Sequence, residues 1–125
     1  MPINWDMFAK VKSKNYTFKE SFSFLQTQIH NWAVEKGFWD DEVSSNPGMK
    51  IALMHAELSE CLEGIRNGNK PSDHIPEYSF AEEELADLFI RGMDFAEHND
   101  YDIVGAIIVK MKFNETRPYK HGKKF

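Results

Sequence analysis

Four stretches of the chain repeat apolar residues at helical spacing. In the first, Phe18, Phe22, Leu25, Ile29 and Trp32 follow at steps of four, three, four and three, which lays one broad stripe along a helix. Thr17-Phe-Lys-Glu20 ahead of it has the form of a capping box, and Gly37 is its expected stop. The second helix is expected from about Met49 to Asn67, burying Ile51, Met54/His55, Leu58, Leu62 and Ile65, with Gly68 ending it. A second capping box, Ser79-Phe-Ala-Glu82, opens the third, which runs to about His98 and buries Leu85, Leu88, Phe89, Gly92, Phe95 and Ala96. Asn99-Asp100 is expected to cap the fourth, about Tyr101 to Glu115, with Ile103, Val104, Ile107, Ile108 and Met111 on its apolar side and Pro118 forbidding continuation. Asn46-Pro47-Gly48 reads as a turn, and Pro71 and Pro76 keep residues 68–78 out of regular helix. The pattern predicts an all-α chain in one domain.

The polar positions inside this pattern carry the chemistry. Glu57 and Glu60 border the stripe of the second helix, and Glu84 and Asp87 that of the third. Residues three apart sit about 60° apart around a helix, with Cβ atoms roughly 5–6 Å from each other. The breaking segment Asn67-Gly-Asn-Lys-Pro-Ser-Asp lets the chain reverse, so two antiparallel helices would bring four carboxylates to one point. Four anions repel there, and a hard divalent cation that prefers oxygen ligands is the natural remedy. Glu82 and Glu83 lie in the first turn of the third helix, where the helix dipole alone accounts for them.

Composition refines this picture at three points. A net charge of −5 disfavours non-specific binding to nucleic acid, yet the charge is uneven. Residues 54–102 hold thirteen acids and three bases, and residues 103–125 hold one acid and six bases. Cys61 is the only cysteine, which rules out an intrachain disulfide and a cysteine zinc site. The first residues lack the basic and apolar regions of a signal peptide, and no apolar run approaches the ~18 residues of a membrane span, so a cytoplasmic location is expected.

Outside the acidic pairs, Trp39 starts a loop, where it either covers the end of the core or offers a flat wall to a nucleobase. His30 borders the first stripe and faces the same choice between a half-buried surface role and a site role. Lys110 and Asn114 share a face of the fourth helix, and Arg117, Tyr119 and Lys120 follow in the tail. Three functions compete. One is metal-dependent phosphoryl chemistry, with Mg²⁺ shared between carboxylates and a polyphosphate and with Lys110, Arg117 and Lys120 neutralising the remaining charge. The second, a redox di-metal bundle, wants Glu-x-x-His pairs, and the sequence has none. The third is a non-enzymatic helical interaction module whose acids form a solvated face.

Glu57-x-x-Glu60 followed after a gap by Glu84-Leu-Ala-Asp87 resembles the Glu-x-x-Glu…Glu-x-x-Asp signature of the MazG-like all-α nucleotide pyrophosphohydrolases. Glu83-Glu84-Leu-Ala-Asp87-Leu-Phe is similar to that family's third-helix phrase, and Lys110-x-x-x-Asn114-x-x-Arg117-Pro-Tyr-Lys-His-Gly to its C-terminal phrase. His30, Trp39 and the carboxylates keep the order of the small dCTP pyrophosphatase branch. The likeness covers roughly residues 18–121. Residues 1–16, which mix apolar and basic side chains without a firm period, have no counterpart in it and read as an arm or short helix. The likeness implies a bundle of four to five helices, with a helical pyrophosphohydrolase domain over 17–116 and a basic tail over 117–125 that contributes to the site. It implies an oligomer, homodimer or homotetramer, with each site lined partly by a neighbour. It implies Mg²⁺, or Mn²⁺ in its place, on Glu57, Glu60, Glu84 and Asp87, and hydrolysis of a nucleoside triphosphate to monophosphate and pyrophosphate. Lys110, Asn114, Arg117, Tyr119 and Lys120 would hold phosphates, and His30 and Trp39 would meet the base or sugar. A phosphoribosyl-nucleotide pyrophosphohydrolase from the same superfamily is the alternative within this resemblance.

Overall fold

A computed structural model of the protein describes residues 16–125. Among the described residues there are four α-helices and no strand: α1 (Phe18–Glu35), α2 (Pro47–Arg66), α3 (Phe80–His98) and α4 (Ile103–Glu115). A 3-10 turn, Tyr119–Gly122, follows α4. The expected arm at residues 1–16 lies, Tyr16 apart, outside the described residues. No described helix is long and apolar enough to cross a membrane.

The helix ends follow from local chemistry. Ser79 and Glu82 close a full capping box on α3. On α1 the box is half closed: Thr17 accepts the Glu20 N–H at 3.1 Å, but the Glu20 carboxylate takes the Thr17 hydroxyl, not the cap N–H. Gly37 and Gly68 stop α1 and α2 with φ of +84° and +91°, values that a residue with a Cβ resists. Two boundaries differ from expectation. Asn46-Pro47-Gly48 starts α2 instead of forming a loop, because Asn46 caps the Met49 N–H at 3.0 Å and proline is suited to the first helical position. Asn99 and Asp100 end α3 instead of capping α4: Asn99 donates back to the Phe95 carbonyl and Asp100 turns to φ +55°. The cap of α4 is Asp102, which accepts the Gly105 N–H at 3.0 Å.

The helix α3 is the centre of the fold, with α2 packed along one side and α1 along another. Contacts run Gly64–Phe80, Cys61–Ala81 and Glu57–Arg91, so α2 and α3 are antiparallel. Gln26–Glu97 and His30–Asp94 show the same for α1 against α3. Small side chains in the α2–α3 seam, Cys61, Gly64 and Ala81, are buried and let the two backbones approach.

The buried faces of α2 and α3 differ from the stripes read above. On α2 the residues turned inward are Lys50, Glu57, Cys61 and Gly64, while Ile51, Leu58, Leu62 and Ile65 are exposed. On α3 the buried set is Ala81, Glu84, Met93, Asp94 and Ala96; Leu85 and Phe89 are exposed. Ile107 and Met111 of α4 are exposed too, as are Val109 and Phe113. Hydrophobic period identifies an apolar face but not the surface that covers it, and here the close α2–α3 seam is built from acids and small residues instead.

Candidate functional site

The α2–α3 seam places Glu57, Glu60 and Glu84 so that one oxygen from each lies within 4.8 Å of the others. Glu57 and Glu84 are buried and Glu60 is exposed. Asp87 completes the sequence motif but not this cluster. It is half-buried one turn along α3 and shares a cavity wall with Glu57.

Electrostatics within the cluster is uneven. Burial, with Glu57 and Glu60 alongside, pushes the Glu84 carboxyl up to about 7. Burial also raises Glu57, but the hydrogen bond that Arg91 Nε donates at 2.6 Å, with those from Glu84 and Glu60, outweighs it and leaves Glu57 low. Asp87 is raised by burial and by the charges of Glu57 and Glu83. One proton on Glu84 and one guanidinium on Glu57 therefore hold together a group of acids that would otherwise part. An all-oxygen donor set of this kind suits a hard divalent cation, which would take over the work of that proton.

A cavity of about 230 Å³ opens beside the cluster, running from Glu57 and Asp87 past Arg91 to Lys50, Trp32 and Phe38. Asp94, deep on α3, is the hub of its far side. It pairs with His30 Nδ1 at 2.7 Å and accepts the Trp39 N–H at 2.9 and 3.1 Å. The Trp39 ring stacks on His98, with centroids 3.8 Å apart and planes 11° from parallel. The Lys50 ammonium stands 4.0 Å from the Trp39 centroid and takes the other face. His30 and Trp39 are thus brought together, with ring centroids 5.6 Å apart, but each is occupied by Asp94, and Trp39 also by His98 and Lys50.

The loop before α3 is tied down by groups that no pattern in the sequence singles out. Ser72, fully buried, donates its hydroxyl to Glu83 and accepts the N–H groups of His74 and Ile75 at 3.1 Å. His74 Nδ1 pairs with the other Glu83 oxygen at 2.6 Å. Glu83 therefore does more than complement the helix dipole, since it fixes the segment that joins the two acidic pairs.

The C-terminal candidates gather elsewhere. Lys110 and Arg117 sit over the Phe113 ring at 4.7 and 5.8 Å, and Lys120 over Tyr119 at 5.8 Å. Asn114 Oδ1 is buried with no hydrogen-bond partner, and Tyr119 is 87% exposed. Among the described residues no hydrogen bond or ion pair links these five side chains to the carboxylates of α2 and α3. Lys50, Arg91 and Asp94 are the site residues without a sequence signal strong enough to find them. The nearest to one is Asp94, an acid set inside the run Gly92-Met93-Asp94-Phe95-Ala96. Comparison with protein-family models, with curated proteins and with solved structures gave no match.

Proposed function

We propose that this chain is a metal-dependent nucleoside triphosphate pyrophosphohydrolase of the MazG-like kind, which cleaves a (deoxy)nucleoside triphosphate to monophosphate and pyrophosphate in nucleotide-pool housekeeping. The observation that carries this reading is the meeting of Glu57, Glu60 and Glu84, the first of which also lines a cavity with aromatic walls. Mg²⁺, or Mn²⁺ in its place, held by these three with Asp87 adjacent, would supply the positive charge that polyphosphate binding needs. Within the chain, Arg91 keeps Glu57 ionised and oriented as a ligand. Exposed Glu60 is the carboxylate with access to solvent, and it is assigned to orient and deprotonate the attacking water. The cavity behind them receives the nucleoside end.

The test is a nucleotide panel with Mg²⁺ followed by chromatography of the products. Pyrophosphate and a nucleoside monophosphate are expected from at least one triphosphate. A folded protein that releases pyrophosphate from none of them overturns the reading, and orthophosphate places cleavage at another bond. Inclusion of a phosphoribosyl nucleotide in the panel separates that alternative.

We further propose that the working form is a homodimer or homotetramer, in which Lys110, Asn114, Arg117, Tyr119 and Lys120 of one chain address the phosphates at a neighbour's carboxylates. The support is the apolar surface left open by one chain, on α2 (Ile51, Leu58, Leu62, Ile65), α3 (Leu85, Phe89) and α4 (Val109, Met111, Phe113). Light scattering should give a multiple of the 14.6 kDa chain mass, and a monodisperse monomer at micromolar concentration would overturn this assembly. The same apolar faces suit a non-enzymatic interaction module, and the nucleotide panel decides between the two.

A further inference from the structure

Lys50 is a residue that the proposed hydrolysis leaves without a task. Lysine is almost never fully buried without a partner. Yet Lys50 is 8% exposed, and burial lowers its pKa from the ordinary lysine value. An ammonium has three N–H donors and no acceptor. One donates to the Phe38 carbonyl at 2.6 Å, and the face of Trp39 covers another. Among the described residues Lys50 forms no ion pair, since the nearby Asp94 carboxylate is engaged by His30 and Trp39. The third donor has no hydrogen-bond acceptor among the described residues; the Phe38 ring stands 5.9 Å from the ammonium, and the side chain lines the cavity.

The cavity limits what can meet that donor. Its volume of about 230 Å³ is below the roughly 300–1,000 Å³ that encloses a drug-sized ligand, so it takes one ring system, not a whole nucleotide. Trp32 and Phe38, with ring centroids 5.8 Å apart, give it aromatic walls. Three carboxylates on the same lining, Glu57, Asp87 and Asp94, outnumber its two cations, Lys50 and Arg91, and disfavour an anion away from the metal; Arg91 commits its Nε–H to Glu57. A neutral, flat heterocycle bearing a hydrogen-bond acceptor satisfies both the walls and the lysine.

Resting on the hydrolase reading above, we propose that Lys50 is a specificity-determining residue: it donates to a ring carbonyl of the bound base and therefore, between purines, favours a 6-oxopurine over a 6-aminopurine. Guanine presents O6 and N7 as adjacent acceptors, whereas adenine presents an amino donor in place of O6, which an ammonium meets with like polarity.

The experiment compares deoxyguanosine with deoxyadenosine as free nucleosides, by calorimetric titration, and dGTP with dATP by pyrophosphate release with Mg²⁺. Three proteins are used: the parent, Lys50→Met and Lys50→Arg. In the parent, guanine is expected to win by about tenfold or more, the worth of one hydrogen bond to a charged group. Lys50→Arg should keep most of that ratio and Lys50→Met should bring it within about twofold. If Lys50→Met does not fold, Lys50→Gln replaces it, because its amide serves both edges and should likewise level the ratio. Turnover without guanine preference, or a preference that survives Lys50→Met, overturns the role of Lys50 and leaves the hydrolase reading standing. Nucleoside discrimination that depends on Lys50, with no pyrophosphate from any triphosphate, upholds the base pocket and removes the hydrolase. Absence of both binding and turnover overturns the two together.

Discussion

Glu84→Gln is expected to lose more than about 100-fold of turnover while melting higher than the parent in metal-free buffer at pH 8. The loss follows from removing a ligand, since even the groups that merely support metal ligands are typically worth 10–100-fold. The gain follows from the same side chain. Folding raises the Glu84 pKa from its ordinary 4.5 to about 7. Between those two pH values the folded chain holds a proton that the unfolded chain has released. The resulting stability is fully present below about pH 4.5 and is lost as pH rises through 7. A shift of this size corresponds to about 3 kcal/mol, which water around exposed Glu60 reduces to about 1–2 kcal/mol. The metal-free parent should therefore melt several degrees lower at pH 8 than at pH 5, and the variant should lose most of that slope. His74, raised by its hydrogen bond with Glu83, and Asp87, raised by burial, leave a residual slope of the same sign. Millimolar Mg²⁺ should raise the melting temperature of the parent more than that of the variant. Thermal scans at the two pH values and a pyrophosphate assay check this. Full activity in Glu84→Gln would show that the acidic cluster is not the reaction centre.

Gly64→Ala should destabilise the protein by roughly 1–3 kcal/mol, the usual range for overpacking. The sign is what makes this informative. In an exposed helix interior, replacing glycine by alanine stabilises by about 1 kcal/mol. Here a Cβ on Gly64 would stand 2.3 Å from Phe80 Cδ1 and 3.1 Å from Cγ and Cε1, so the ring or the whole helix must move. Phe80 is the first residue of α3, and displacing it draws the seam apart one helical turn from Glu60. Mg²⁺ affinity should fall with stability. Removing the ring in Gly64→Ala/Phe80→Ala should cost less than the two single changes added, the mark of groups in contact. Denaturant melts of the four proteins test it, and a Gly64→Ala more stable than its parent would show that the seam is looser than described.

What the sequence disclosed was local. The Ser79–Glu82 box, the stops at Gly37 and Gly68 and the three-residue spacing of the acids depend on neighbours within one or two turns, and each is present in the structure. The fourth member of the motif, Asp87, has the right spacing, yet the helix rotation that buries Glu84 leaves it outside the cluster. What the sequence concealed was long-range. Asp94 meets residues 55 and 64 positions away, and Glu57 meets Arg91 across 34, so no window along the chain contains these pairs. Lys50 lies next to Met49 and Ile51 and reads as an ordinary polar interruption of an amphipathic helix. Only the folding of the Phe38–Trp39 segment back over α2 covers it. The stripe of α2 is the converse case: Ile51, Leu58, Leu62 and Ile65 keep helical spacing, yet all four are exposed, because the spacing marks a shared face and not whether that face is buried.

The lone thiol has a practical use. Cys61 is buried in the seam with its sulfur 3.8 Å from the Ala81 carbonyl, between the two acidic helices. An alkylating reagent reaches it only when those helices separate. The rate of alkylation therefore counts how often the carboxylates come apart, and a cation that bridges both helices must slow it.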